Sequence, residues 1–113
     1  MDPRAALKSV FGFDDFRPGQ EQVVAALLAK RNVLAIMPTG AGKSLCFQLP
    51  AVIAPGLTVV VSPLIALMAN QVSLLTAMGV PAGSINSSQD RARNVAVWRQ
   101  AQAGEIKLLY MSP

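Results

Sequence analysis

Lys43 and Ser44 close the run Met37-Pro38-Thr39-Gly40-Ala41-Gly42-Lys43-Ser44, and of all the side chains in this sequence they are the best suited to chemistry. That chemistry is the handling of phosphate. Glycines at 40 and 42 lack Cβ atoms, so the backbone there can take left-handed angles and approach an anion closely. Successive N–H groups then point inward, and a helix beginning after them adds the positive end of its dipole. Lys43 would place a point charge on the β- and γ-phosphates of a nucleotide, which makes it the candidate catalytic residue. The Ser44 hydroxyl would coordinate Mg²⁺. The usual pattern opens with a further glycine, and its place is held here by Met37. That departure points to a subclass with a Pro-Thr-Gly loop rather than to a simple kinase.

Such a loop works only between a strand and a helix. Val33-Leu34-Ala35-Ile36 reads as a buried strand ahead of it, and a helix runs from Lys43 until Pro50 kinks or ends it. Upstream, Asp2-Pro3 fits the start of a short helix over residues 5–11, closed by Gly12. After an aromatic-rich connector, Pro18 opens a second helix with Val23, Val24, Leu27 and Leu28 on its apolar side, and Lys30 and Arg31 suit its carboxyl end. Downstream, residues 57–61 read as a strand buried on both faces. Ser62-Pro63 caps a helix with the stripe Leu64, Met68, Gln71 or Val72, Leu75 and Met78, which Gly79 stops. Residues 82–85 form a short strand. Ser87 and Asp90 resemble a capping box for a helix lined by Val95, Trp98 and Ala101 and ended by Gly104, and residues 106–110 are a last strand. This alternation implies an α/β fold with a parallel sheet. Ligands in such sheets bind beyond the carboxyl ends of the strands, where residues 37–44, 62–64 and 112–113 fall.

Composition narrows the class. With 113 residues, the chain suffices for one domain with a modest core. It is 52% hydrophobic and 14% charged, which suggests surface meant to be covered by missing chain or a partner. The apolar region 45–68 is broken by Gln48, Pro50, Pro55, Gly56, Ser62 and Pro63, short of the roughly 20 residues a spanning helix needs, so no membrane partner is expected. The start shows no signal peptide, so the chain is expected not to be secreted. One cysteine and no histidine exclude a disulfide framework and argue against zinc in this chain; Cys46 reads as a buried helix residue. The net charge of +4 permits nucleic-acid contact, but the basic residues are scattered.

Four stretches, in order, resemble the RecQ family of DNA helicases in helicase superfamily 2. Phe11-Gly12-Phe13 with Phe16-Arg17-Pro18-Gly19-Gln20-Glu21 is similar to that family's motif 0, and residues 37–51 to its motif I. Residues 59–68 are similar to motif Ia, and Leu108-Leu109-Tyr110-Met111-Ser112-Pro113 to the strand and turn shortly before the Walker B box. The resemblance implies a P-loop NTPase (RecA-like) α/β fold, a parallel sheet flanked by helices, in an incomplete domain. Residues 1–31 would be the helical motif 0 region and 32–113 the P-loop core. It implies an ATP-dependent helicase moving 3′ to 5′ on single-stranded and partly duplex DNA, with ATP and Mg²⁺ held between two RecA-like domains. The compartment would be a bacterial cytoplasm with its nucleoid, or a eukaryotic nucleus.

Carried over residue by residue, the resemblance implies that Gln20 reads the adenine edge, Arg17 supports the nucleotide and Phe13 packs on the base, where the family often has tyrosine. Met37, Pro38, Thr39, Gly40, Ala41, Gly42, Lys43 and Ser44 would hold the phosphates, and Ser62, Pro63 and Leu64 would touch the DNA backbone. The six acidic residues are Asp2, Asp14, Asp15, Glu21, Asp90 and Glu105, and none falls where a Mg²⁺-holding aspartate and a water-activating glutamate belong. The expectation is therefore part of a first motor domain, inactive alone. Its second RecA-like domain and any zinc-bearing carboxyl-terminal region would lie elsewhere in the parent protein. The alternative is a nucleotide-binding or interaction module that works without turnover.

Overall fold

Asp2 and Pro3 start the first helix as the sequence predicts. α1 spans Pro3–Ser9, and Asp2 Oδ2 accepts the Ala5 N–H at 3.1 Å. The computed structural model describes residues 2–38 and 42–113. They fall into two units, Met1–Pro55 and Gly56–Pro113.

In the first unit the second helix departs from expectation at its start. α2 spans Gln20–Leu28, and its N-cap is Gly19 at φ 87°, not Pro18. The Gln20 N–H donates to Arg17 O at 3.1 Å, closing a turn with proline second and a left-handed glycine third, the signature of a type II turn. Pro18 therefore shapes the turn before the helix. At the other end Lys30 takes φ 62°, and the Lys30 and Arg31 N–H groups return to Leu27 O and Ala26 O. Lysine thus fills the left-handed closing position usually given to glycine.

α3 spans Lys43–Ile53 and does not end at Pro50. Proline there removes only its own N–H bond, and the Ala54 N–H still reaches Pro50 O at 2.8 Å. α1 and α2 both pack on α3. Ala6, Leu7, Val24, Leu45 and Leu49 form the core, with Phe11, Phe16, Leu28 and Ile53 packed around it.

The buried strand expected at residues 33–36 is not formed. Leu34 and Ile36 are 88% and 89% exposed, and the segment has no ladder partner among the described residues. A strand exists only through pairing, so an apolar run without a neighbour keeps the alternation and loses the element. Val33, Ala35 and Met37 face an apolar cavity of about 350 Å³, while Leu34 and Ile36 alternate to the outside.

The second unit holds a parallel sheet of β1 (Thr58–Val61), β2 (Ala82–Ile85) and β3 (Leu108–Met111), in the order β1-β3-β2. α4 (Ile65–Ala77) connects β1 to β2, and α5 (Arg91–Gln102) connects β2 to the central β3. β3 is buried through Leu108, Leu109 and Tyr110. β1 was expected to be covered on both faces, but it alternates, with Val59 and Val61 exposed. No element of this unit covers that face.

The helix starts also shift. Leu64, not Ser62-Pro63, is the N-cap of α4, while Ser62 Oγ accepts the Leu64 N–H at 3.2 Å. Met68, Gln71 and Leu75 are buried as predicted, but Leu64 and Met78 at the ends of the stripe are exposed. Asp90 itself caps α5, its Oδ1 accepting the Arg93 N–H at 2.8 Å, and Ser87 takes no part. The inward face of α5 runs through Asn94, Val97 and Ala101, whereas Val95 and Trp98 are exposed. No helix among the described residues is long and apolar enough to cross a membrane.

Gly83 in β2 marks the tightest approach in this unit. A Cβ there would lie 2.9 Å from both Ile106 Cδ1 and Val97 Cγ1. Gly83→Ala should therefore cost about 1–3 kcal/mol, the usual range for overpacking, read from urea denaturation of the full-length protein.

Candidate functional site

Gly42 decides the geometry at the start of α3, where the candidate phosphate loop ends. It is the N-cap of α3 at φ 77° and ψ 41°, so the chain passes through the left-handed region immediately before the helix. Lys43 and Ser44 are the first two residues of α3, with Lys43 exposed and Ser44 half-buried. Among the described residues no side chain caps this helix, and no acidic residue stands in its first turn. Its first N–H groups and its dipole therefore suit an anionic ligand. Pro38 is exposed and Met37 half-buried. Thr39, Gly40 and Ala41 lie outside the described residues.

Gln20 is brought to this loop end. Its side chain is buried at 3% exposure. Its Oε1 accepts the Arg17 N–H at 2.8 Å, and its Nε2 donates to Gly42 O at 3.0 Å. A carboxamide carries two donor hydrogens and two acceptor lone pairs, so one of each remains for a ligand. Arg17 approaches the same point, with its Cδ 3.8 Å from where a Gly42 Cβ would stand. The turn at residues 17–20 and the start of α3 at Gly42 thus adjoin in space. Phe13, with its N–H on Leu7 O, keeps its ring 52% exposed and open to stacking.

Met37 occupies the place of the usual first glycine, and the structure gives it packing work. Its Cε lies 3.3 Å from where a Cβ on Gly19 would stand, and its Sδ is 3.9 Å from Cys46 Sγ. Cys46 is buried, as read from the sequence. Burial pushes its thiol pKa above the ordinary 9.0, outweighing a backbone hydrogen bond that pulls the other way. The thiol therefore stays protonated at neutral pH. Its contribution to stability is full below the ordinary value and is lost as pH rises above it.

In the second unit the carboxyl ends of the strands gather the remaining candidates. The Ser62 N–H donates to Met111 O at 3.0 Å, and the Ser112 N–H to Ile85 O at 3.2 Å. Ser62 is half-buried, and Pro63 and Leu64 project into solvent. Sequence reasoning missed what adjoins them. Ile85, Met111, Gln89, Arg91, Asn94, Val95 and Trp98 line a cavity of about 570 Å³. Gln89 is held there by Nε2 bonds to Ser84 O and Asn94 Oδ1, both at 2.8 Å. Gln89, Arg91 and Trp98, spread from before α5 into its second half, form no motif to recognise in the sequence. Among the described residues no cluster of His, Cys, Asp and Glu could hold a metal ion.

Known proteins share this pattern. A family model described as DEAD/DEAH box helicase matches residues 17–113. The chain is 50% identical over 109 residues to the ATP-dependent DNA helicase RecQ of Haemophilus influenzae, covering 96% of this chain and 18% of that protein. It is 47% identical over 108 residues to the ATP-dependent DNA helicase RecQ of Synechocystis sp., covering 96% and 23%. The rat ATP-dependent DNA helicase Q5 is 47% identical over 114 residues, covering 97% and 12%. The chain thus spans less than a quarter of the length of these relatives.

Gly42→Ala tests the contact between the two stretches. The added methyl would overlap Gln20 Nε2 and would force an L side chain to φ 77°. The left-handed backbone and the lost Gln20 bonds together should cost roughly 2–4 kcal/mol, read from denaturant unfolding of the full-length protein. Nucleotide affinity should fall with it.

Proposed function

Because this chain belongs to the DEAD/DEAH box helicase family and matches RecQ helicases over nearly its whole length, we propose that it forms the ATP-binding part of the first motor domain of a DNA helicase. The observation that carries this reading is the bond from Gln20 to Gly42 O. It sets a residue able to read a base beside the start of a helix able to hold phosphates, the separation of functions a nucleotide site needs.

In this reading each residue has one task. Phe13 offers its exposed ring to the base, and Gln20 presents its remaining donor and acceptor to the adenine edge. Arg17 supports the nucleotide from the same turn. Gly42 lets the backbone approach the phosphates, and Lys43 neutralises charge that grows on the transferred group. The Ser44 hydroxyl would hold Mg²⁺, which when bound would supply Lewis-acid polarisation of the phosphates. Ser62, Pro63 and Leu64, at the carboxyl end of β1, touch the DNA backbone, with the α4 start behind them. Water activation and the arginine finger would come from other parts of the whole protein, including a second RecA-like domain. The RecQ likeness supports 3′ to 5′ movement on single-stranded or partly duplex DNA, in the cytoplasm or nucleus where DNA lies.

Two outcomes check the assignment in the full-length protein. Lys43→Ala should lower DNA-stimulated ATP hydrolysis about 10²–10³-fold, the size of a lost electrostatic contact to the transition state. Wild-type turnover in that variant would rule out the phosphate-loop role. The unaltered protein should prefer ATP to GTP, and Gln20→Ala should narrow the preference by about tenfold or less, the worth of one or two hydrogen bonds. Competition between the two nucleotides in a hydrolysis assay reads this directly.

A further inference from the structure

Arg4 belongs to none of the motifs above, yet it touches the stretch from Phe11 to Glu21, the connector and the first residues of α2, at three points. It stands in the first turn of α1. Its Nε and Nη2 approach Glu21 Oε2 and Oε1, both at 3.3 Å, in a forked pair. Its Nη1 lies 3.6 Å from Asp15 Oδ1, and its guanidinium carbon lies 5.7 Å from the centre of the Phe16 ring.

These partners are placed with regularity along the chain. Asp15 and Phe16 lie between Phe13 and Arg17, and Glu21 follows Gln20. Every nucleotide-reading residue of the connector is thus within two positions of an Arg4 contact. The connector between α1 and α2 has no regular structure of its own. Gln20 ties it from the inner side, through Arg17 N–H and Gly42 O. Arg4 ties it from the outer side.

Exposure tells against a role in stability. The side chains of Arg4, Asp15 and Glu21 are 56%, 86% and 53% exposed. Ion pairs so open to water contribute little to the folding equilibrium. What a shared guanidinium can do is choose among conformations of a loop that differ little in energy, because it adds several small terms to one of them only.

We infer that Arg4 is a positioning residue for base recognition, holding the Phe13–Gln20 segment in the form that presents its reading groups to the nucleotide base. This rests on the base-reading assignment proposed above. It acts on base choice and not on phosphate transfer, because its contacts lie along the connector and at the start of α2, and none reaches Lys43 or Ser44.

The test uses the full-length protein with Arg4→Ala and Glu21→Gln, and measures kcat and KM for ATP and GTP in DNA-stimulated hydrolysis, with Tm alongside. Arg4→Ala should raise KM for ATP about threefold to tenfold, the combined worth of two exposed pairs and a cation–π contact. Its kcat should change less, its KM for GTP should change less, and its Tm should stay close to that of the unaltered protein. Glu21→Gln should move the ATP-to-GTP ratio the same way by a smaller factor, and it decides the matter should Arg4→Ala prove unstable. An unaltered ratio in these variants, or an equal loss for both nucleotides, overturns the role of Arg4 while leaving base reading intact. A wild-type protein that uses GTP as well as ATP overturns the base-reading assignment itself, and this inference with it.

Discussion

The hydrogen bond from Gln20 Nε2 to Gly42 O is the constraint on which the candidate nucleotide site depends. Gly42 sits in the left-handed region, and no Cβ stands in the way of the Gln20 side chain. The same carboxamide accepts the Arg17 N–H, so one buried side chain fixes both the turn before α2 and the approach to α3. A buried amide left without partners would cost about 1–3 kcal/mol, which gives the arrangement its selectivity over alternatives. The type II turn at residues 17–20 and the left-handed Gly19 follow from the need to aim Gln20 inward.

In the second unit the organising role falls to β3. It pairs on both sides, in register with β1 and β2, so its peptide groups are satisfied within the sheet and its side chains can be buried. β1 has only one neighbour. Its outer valines stay in water, and the apolar run at residues 33–36 keeps two of its side chains almost fully exposed. Removing such surface from water is worth about 25 cal/mol per Å². These faces are therefore the places where further chain or a partner gains most by packing, in keeping with a chain that spans a small share of its relatives.

Charge is used sparingly and locally. Of the six acidic residues, Asp2 and Asp90 cap helices, and Asp15 and Glu21 bind Arg4. None stands in the first turn of α3. The start of α3, the candidate phosphate site, thus has no carboxylate in its first turn, while Asp2 and Asp90 serve the starts of α1 and α5 and Asp15 and Glu21 serve Arg4. Lysine at position 43 adds to that field instead of cancelling it.

Much of this was legible in the sequence. The start of α3 after Gly42, the order of helices and strands from α3 onward, the parallel sheet and the burial of Cys46 follow from local patterns: glycine spacing, β-branched runs and periodic apolar residues. Those signals are short-range and survive without tertiary context. What the tertiary structure decided depends on neighbours. Residues 33–36 have the composition of a strand, but pairing is not encoded within the run itself. The valines of β1 read as buried on both faces, because a β-branched run looks the same whether or not a layer covers its second side. Pro18, Ser62 and Ser87 looked like helix starts, and the true caps fell at Gly19, Leu64 and Asp90, since backbone turns set where the first helical bond closes. The meeting of Gln20 with Gly42, separated by 22 positions, and the reach of Arg4 to Glu21, separated by 17, are contacts between distant points of the chain. Residue types and spacing name the participants in such contacts, and only the packing of α1 and α2 on α3 brings them within bonding distance.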